Sequence, residues 1–431
     1  MATTDPTTPP ATTPSEVGPA LVFEGDPPRN LLVISIDTLR RDAIGRYGGP
    51  STPTLDRLLG EGVALDQHVQ CSNWTYPSTT CTQAGRYLDD LGFVPDIARS
   101  RDPLPTLPSL AGALHDQGFT TLLSTASSYL SSDRNNAQGF DRDLLTGVRY
   151  ASGIWEQGRD MLLEAMERGP VDRWMLHLHV VEPHEAYAPP ESYLGALDEL
   201  PPDPWDLGNH ETVYDMLTTW PELDPEEQAL MVTLQRARYA GEVAYLDDQL
   251  TEALAEADAL GWLDDTLVMI WTDHGEAFFE HGHPTHAWTL HAQENDAIAG
   301  FWGKRLEPVG WDGPTTSIDL VPTALTALGL PVPDSFDGAV VGTADPQRAR
   351  FSLVNGRAGV QQAVLQGPDK LLYDWSTGGL ELYDRSADPR ELVDLAARRP
   401  ERVRELYDLL APRVERLRPL VSTSPAPPRG L

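Results

Sequence analysis

Asn30-Leu-Leu-Val-Ile-Ser-Ile-Asp37 is a continuous apolar run that ends in a carboxylate. A strand buried on both faces reads this way, because the central strand of a parallel sheet has helices above and below it and no face toward water. In open α/β sheets ligands bind beyond the C-terminal ends of such strands, so Asp37 marks the expected site. Outward from this run, strand and helix patterns alternate. Thr38–Tyr47 reads as a short helix or turn, and Thr52–Gly62 as a helix with a capped start and a glycine stop. Val63–Val69 reads as a second strand. Leu107–Gln117 (helix), Thr120–Ser124 (strand), Ile154–Arg168 (helix) and Trp174–Val181 (strand) continue the series. Ala237–Leu260 is a long charged amphipathic helix, and Asp265–Trp271 a further buried strand running into Thr272-Asp-His-Gly-Glu276. This alternation predicts an α/β fold whose sheet is mostly parallel and flanked by helices.

The ends of the chain differ in texture. Residues 1–28 are rich in Thr, Pro and acid, and are expected to be disordered or extended on the surface. The main α/β unit is expected over 29–345. Within it, 185–232 breaks the rhythm with Pro189-Pro190, Pro201-Pro202, Trp205 and Trp220, as an insertion or lid at the site's mouth or as a surface excursion. Ile318–Leu328 reads as a helix with Pro322 in its first turns. Phe351–Val354, Gln362–Leu365, Lys370–Asp374 and Leu380–Asp384 are short segments between turns, followed by the helix Pro400–Val414. They predict a small antiparallel sheet with one covering helix, a C-terminal subdomain over 346–420, and a loose tail over 421–431.

Composition removes several function classes. Acidic residues number 65 against 32 basic ones, for a net charge of −33, which argues against a nucleic-acid or anionic-membrane partner. No apolar run approaches the roughly 20 residues that span a bilayer. The acidic balance fits a secreted enzyme or a salt-adapted host, and the Thr/Pro tail could be the linker of an exported protein (periplasmic, secreted or surface-tethered); a cytoplasmic location stays open. The two cysteines, Cys71 and Cys81, are too few for a disulfide scaffold or a cysteine zinc site. They flank one turn, as a local disulfide or as two buried thiols.

That turn is Cys71-Ser-Asn-Trp-Thr-Tyr-Pro-Ser-Thr-Thr-Cys81. Pro77 suits a first helical turn, and Thr75 then lies near the positive end of the helix, where backbone amides favour an anion. Thr75, Asp37 and Asp273-His274 thus sit at three separate strand ends. Asp, Asp and His make a ligand set for a divalent metal, and a metal beside a hydroxyl lowers its pKa and generates a nucleophile. Each piece alone also has a structural reading: Asp37 as a helix cap, Asp273-His274 as a turn, Thr75 as an ordinary helix start.

Their joint order resembles the sulfatase family of the alkaline phosphatase superfamily, from about Asn30 to about Leu410. Ile36-Asp-Thr-Leu-Arg-Arg-Asp42 resembles the first metal motif, Thr75-Tyr-Pro-Ser-Thr with Ala84-Gly-Arg86 the nucleophile motif, and Thr272-Asp-His-Gly-Glu-Ala with Glu280-His-Gly282 the second metal motif. Val181-Glu-Pro-His184, His286 with Thr289-Leu290, Ser317–Thr323, Lys370 and Leu382-Tyr-Asp384 resemble further family segments. The resemblance implies an alkaline-phosphatase-like three-layer sandwich, with Asp37, Thr75, Asp273 and His274 as metal ligands and Thr75 as nucleophile. It implies that His184 and His286 contact the transferred group or protonate the leaving oxygen. His281, His283 and His291 are weaker candidates, for a second metal; Arg40 and Arg41 bind an anion or make structural ion pairs.

The departures from the family pattern shape the expected chemistry. Sulfatases carry a Cys or Ser at the Thr75 position, converted to formylglycine within a Cys-x-Pro-x-Arg type motif. Here the residue is Thr, and Thr79 stands in place of the Arg. A Thr nucleophile would form a phospho-threonine, which points to phosphate esters, a diester or phosphonate monoester preferred. Thr38 replaces the second Asp of the first metal motif and His274 stands where Asn is usual, shifting the expected ion from Ca²⁺ toward Zn²⁺ or Mn²⁺, with one ion or two. The alternatives are a sulfuric ester hydrolase without formylglycine, a phosphoalcohol transferase, and a non-catalytic anion-binding pseudoenzyme. The expected partner is a small anionic ester.

Overall fold

The structure is a computed structural model and describes residues 21–197 and 199–430. The chain begins with β1 (Asn30–Ile36), α1 (Pro53–Gly60), β2 (Val63–Val69), α2 (Thr75–Ala84), α3 (Leu110–His115), β3 (Thr120–Thr125), β4 (Arg142–Leu145), α4 (Ala151–Arg168) and β5 (Trp174–Val180). It continues with α5 (His210–Thr219), α6 (Pro225–Ala259), β6 (Thr266–Thr272), β7 (Ala277–Phe278), β8 (Pro284–Thr285), α7 (Ala292–Asn295), β9 (Ala299–Trp302), β10 (Trp311–Thr316) and α8 (Leu320–Ala327). A C-terminal group follows: β11 (Arg350–Gly356), β12 (Gly359–Gln366), β13 (Asp369–Asp374), β14 (Leu380–Asp384) and α9 (Pro400–Leu417).

Eight strands form the central sheet in the order β10-β2-β9-β6-β1-β5-β3-β4. Pairing is parallel throughout except at β9, which lies antiparallel between β2 and β6. β1 sits in the middle, and its alternating side chains feed two helical layers. Leu32, Ile34 and Ile36 join one core with Leu55 of α1, Ile154 of α4 and Leu246 of α6. Leu31 and Val33 join the other, with Leu110 of α3 and Leu320 of α8. Each such side chain contributes about 1.5–3 kcal/mol of burial, and the double-sided demand explains why the run is apolar without interruption.

The second sheet, β11-β12-β13-β14, is antiparallel. Its core residues Val364 and Leu371 share a cluster with Leu406 and Leu410 of α9 and with Cys71 and Cys81, which form a disulfide. The sheet therefore rests on the helix that carries Thr75. Leu353 N donates to Cys71 O at 2.7 Å, extending the contact to the backbone. A buried ion pair completes the joint: Lys370 and Glu391, both 0% exposed, lie 3.0 Å apart. Lys370 also donates to Leu290 O, and Glu391 accepts from Ala292 N at 3.0 Å.

Several elements differ from the sequence reading. The long helix starts at Pro225, not Ala237, because Asp224 and Glu227 form a reciprocal capping box with Pro225 at the first position. The 185–232 stretch is accordingly not one long loop. It contains α5, and Leu207, Met216, Met231 and Leu234 pack with Phe279 in a core of their own, with Trp220 stacked on Phe279 at 3.7 Å. Strands β4, β9 and β10 went unread. Thr52 does not cap α1; the amides of Thr54 and Leu55 are taken by the Asp247 carboxylate of α6 at 3.0 and 2.9 Å. Of the N-terminal tail, residues 1–20 lie outside the described residues, while Phe23 bridges Leu306. The expected loose C-terminal tail is instead tied to the second sheet, with Ala426 N donating to Trp375 O and Arg429 N to Gly378 O, both at 2.8 Å. No helix among the described residues is long and apolar enough to cross a membrane.

Two predictions follow from buried charge. Glu391→Ala leaves the Lys370 ammonium without its carboxylate, and is expected to cost about 3–5 kcal/mol in chemical denaturation. Lys370→Met with Glu391→Leu should recover part of that loss. The second concerns Glu182, which follows β5 and accepts from Ala151 N at 2.8 Å. Burial, with Glu242 nearby, pushes its carboxyl from the ordinary 4.5 up to about 8. A raised folded pKa means stability that is present below pH 4.5 and lost as pH rises through 8. Glu182→Gln is expected to flatten the pH dependence of unfolding across that window, and an unchanged slope would refute the assignment.

Candidate active site

Register builds the site. β1 pairs with β6 so that Ile36 stands opposite Thr272, and with β5 so that Ile36 stands opposite Val180. The next residues, Asp37, Asp273 and Val181, therefore leave the sheet side by side. Asp37 N donates to Val180 O at 2.9 Å and Asp273 N to Ile36 O at 3.2 Å, so both carboxylates are fixed at the sheet's edge. Beyond Asp37 the chain turns through Thr38 in a left-handed conformation (φ 53°), a costly state for a β-branched residue. The turn aims the Thr38 amide at Asp273 Oδ1, 3.2 Å away.

Asp37, Asp273 and His274 are fully buried, and one donor atom of each lies within 4.8 Å of the others. His274 Nε2 is 3.2 Å from Asp37 Oδ1 and 3.6 Å from Asp273 Oδ1. Its Nδ1 donates to Gly275 O at 2.9 Å, so Nε2 is the nitrogen that meets the carboxylates, as an N–H when the ring is protonated and as a lone pair when it ligates a cation. Asp37 Oδ1 and Asp273 Oδ2 have no hydrogen-bond partner. Buried, unpartnered carboxylate oxygens beside an imidazole nitrogen fit a divalent cation in both charge and donor type.

Thr75 is the first residue of α2, and its Oγ1 lies 3.4 Å from both Asp37 Oδ2 and His274 Nε2. The whole of α2 is buried. It is pinned by the disulfide, by Thr79 Oγ1 donating to Thr75 O at 2.7 Å, and by a left-handed Gly85 (φ 57°) whose amide closes the last turn. A Cβ at Gly85 would stand 2.8 Å from Phe336, so only glycine suits this stop.

A second group adjoins the first. His184, Glu185 and His286 bring donor atoms within 4.8 Å of one another, and the His286 ring lies 4.5 Å from His274 and 5.0 Å from His184. His184 Nδ1 is 2.9 Å from Glu185 Oε2, and His286 Nδ1 is 3.0 Å from Glu276 Oε1. The two imidazoles differ in charge. Burial opposes protonation of His184, but Glu185 and Asp37 outweigh it and hold the ring well above the usual histidine range. Burial, with positive neighbours, holds His286 well below it. Burial and the neighbouring Asp37 push Asp273 up to about 7. Against burial, Asp273 and Asp37 push His274 up to about 9.

The expected residues Asp37, Thr75, His184, Asp273, His274 and His286 thus form one contiguous cluster. The weaker histidine candidates do not form a ligand set. His281 and His291 stack face to face at 3.6 Å with 6° between planes, and a metal must lie in the plane of each imidazole it binds. His283 stacks on Trp288. Arg40 is structural: it donates to Glu276 O and Glu280 Oε1, both at 2.7 Å, and to Asp42. Sequence reasoning missed Glu185 and Glu276, although Glu276 lies inside a quoted motif. It also missed a buried row in which Ser35 Oγ contacts His177 Nε2 and His179 Nδ1, both at 2.8 Å, with His179 Nε2 3.8 Å from Asp37. Two histidines at i, i+2 on one face of an apolar strand were the available signal.

A family model, "Sulfatase", matches residues 29–330, which includes every residue of this cluster. An N-acetylglucosamine-6-O-sulfatase of Bacteroides thetaiotaomicron is 23% identical over 201 residues, 41% of this chain and 35% of that one. The multifunctional alkaline phosphatase superfamily protein PehA of Trinickia caryophylli is 32% identical over 109 residues, 24% of this chain and 20% of that one. The chain thus matches about a third or less of the length of these curated relatives. A protein solved in complex with its substrate D-glucosamine-2-N,6-O-disulfate superposes with a TM-score of 0.73 at 18% identity, over 91% of this chain and 98% of that one. A phosphonate monoester hydrolase of Silicibacter pomeroyi gives 0.67 at 19% identity, over 91% and 96%. The match runs through the segments that carry Asp37, Thr75 and Asp273-His274, and the chain belongs to the sulfatase family.

Proposed function

We propose that this protein is a metal-dependent hydrolase of phosphate esters, a phosphodiester or phosphonate monoester, that works through a covalent intermediate on Thr75. The observation that carries the reading is the Thr75 hydroxyl at the N-terminus of α2, 3.4 Å from both Asp37 and His274. Asp37, Asp273 and His274 would hold a divalent ion, Zn²⁺ or Mn²⁺ by donor type, which would ease loss of the Thr75 proton and offset charge on the ester oxygens.

The chain's own residues then divide the work. Thr75 Oγ1 attacks phosphorus, a P–O bond forms to Thr75, and the bond to the leaving oxygen breaks on the opposite side. His184, positioned by Glu185, gives a proton to the departing oxygen and is reprotonated, through solvent, by the proton that Thr75 releases; His286, positioned by Glu276, hydrogen-bonds a non-bridging oxygen. The first-turn amides of α2 face the same charge. Water then attacks the phospho-threonine, restoring the Thr75 hydroxyl and releasing the acid. Positioning and charge stabilisation dominate such transfers.

Thr75 itself favours phosphate over sulfate, because formylglycine cannot be made from threonine by the family's Cys or Ser chemistry. Similarity to the Silicibacter phosphonate monoester hydrolase and to PehA supports this reading. Similarity to the N-acetylglucosamine-6-O-sulfatase favours the second reading, a sulfuric ester hydrolase that attacks sulfur.

The test is turnover of aryl phosphate, bis-aryl phosphate, aryl phosphonate and aryl sulfate by metal-reconstituted protein. Diester or phosphonate is expected to lead, and Thr75→Ala to lower kcat at least about a thousandfold while keeping the metal. Aryl sulfate in the lead would overturn the substrate assignment. In parallel, Asp273→Ala is expected to lose the stoichiometric metal seen by elemental analysis; full retention would overturn the ligand set.

A further inference from the structure

A wide concavity lies apart from Thr75. A cleft of about 940 Å³ opens between the β2–β10 edge of the central sheet and the turns of the C-terminal sheet. None of Asp37, Thr75, His184, Asp273, His274 or His286 lines it. Its walls include Arg41, Gln293, Trp311, Arg350 and Arg390.

In a chain with 65 acidic and 32 basic residues, a guanidinium without a carboxylate needs a reason. Three on these walls lack one among the described residues. Arg41 donates to the Asp66 carbonyl and lies over the Tyr47 ring. Arg350 is 2% exposed, donates to the carbonyls of Gln67 and Thr315, and has no partner at Nε. Arg390 is exposed; its backbone carbonyl accepts from Gln293 Nε2, and its charge reaches the Asp42 carboxylate without a close ion pair. The carboxylates on the same walls are mostly paired with other arginines, Asp42 with Arg40, Asp66 with Arg46 and Asp296 with Arg385, while Asp296 Oδ1 has no hydrogen-bond partner. Asp312 is exposed.

A buried cation without a counter-charge carries an uncompensated desolvation cost. Burial and the adjacent Arg385 push Arg350 down to about 10, with Tyr87 and Asp296 acting in the opposite direction. Trp311 Nε1 is a further buried donor without a partner on the same walls. Planar guanidiniums match the oxygens of phosphate, sulfate and carboxylate, and the Trp311 ring offers a flat apolar wall.

We propose that this cleft is a second anion-binding site, in which Arg41, Arg350 and Arg390 hold a phosphate, sulfate or carboxylate group and Trp311 covers the organic body that bears it. The anion is either a remote charged group of an extended substrate or a separate small molecule; the chemistry of recognition is the same.

Calorimetric titration of the full-length, metal-loaded protein with phenylphosphonate, which has no ester bond to cleave, tests the site. Wild type is expected to bind one equivalent more than Arg41→Ala/Arg390→Ala. Arg390→Ala alone, which breaks no side-chain hydrogen bond or close ion pair among the described residues, should weaken that equivalent at least tenfold with a nearly unchanged Tm. The reading is a difference between proteins, so it stands whether or not Thr75 is the nucleophile. Equal stoichiometry and affinity in all three proteins would overturn the site. Steady-state kinetics separate the sources. A raised KM in the variants confined to esters with a second anionic group assigns the cleft to substrate, and an unchanged KM with the equivalent still lost assigns it to a separate ligand.

Discussion

Two carboxylates held together out of water set the terms for the rest of this molecule. Asp37 and Asp273 leave adjacent parallel strands at the same level, 2% and 0% exposed, with donor atoms within 4.8 Å of each other. At an effective dielectric near 20, two full charges at that separation repel by about 3–4 kcal/mol, before any cost of desolvation. The surroundings are arranged against this. The Thr38 backbone takes a left-handed turn to donate to Asp273, His274 places its Nε2 beside both carboxylates, and His179 approaches Asp37 from β5. Oxygens still remain without partners. The parallel register of β6, β1 and β5 is what brings the pair together, and under the proposed function a divalent cation held between them would offset the remaining charge.

Much of this was legible in the sequence, for a physical reason. Strands buried on both faces cannot hide their composition, so β1, β5 and β6 announced themselves, and with them Asp37 and Asp273-His274. The four strands of the second sheet were readable from their turns. What escaped reading was decided by tertiary context. Strand β9 is four residues long and antiparallel within a parallel sheet; its only local signal is apolarity. The first turns of α6 were hidden because a Pro was read as part of a loop, although Asp224-Pro225-Glu-Glu227 carries the full signature of a helix start. Asp247 as a cap for α1 joins elements nearly two hundred residues apart, and no local pattern encodes it. Glu185 and Glu276 acquire meaning only when His184 and His286 stand beside them.

The same logic bears on Thr75. Its hydroxyl is fixed by two independent constraints rather than by the local turn alone. The β-branch restricts χ1, so the direction of Oγ1 follows from where α2 begins. The start of α2 is in turn set by packing from both halves of the chain: the disulfide at Cys71 and Cys81, the Gly85 stop against Phe336, and the C-terminal sheet whose core includes both cysteines. The Lys370–Glu391 pair anchors that sheet to the segment that follows His286. The second sheet thus supports the proposed nucleophile from beneath while tying down the loop of one of its proposed partners. A side chain held this firmly loses little entropy on reaching the attacking geometry, which is the circumstance in which an unmodified threonine, a weaker nucleophile than a hydrated aldehyde's alkoxide, can serve.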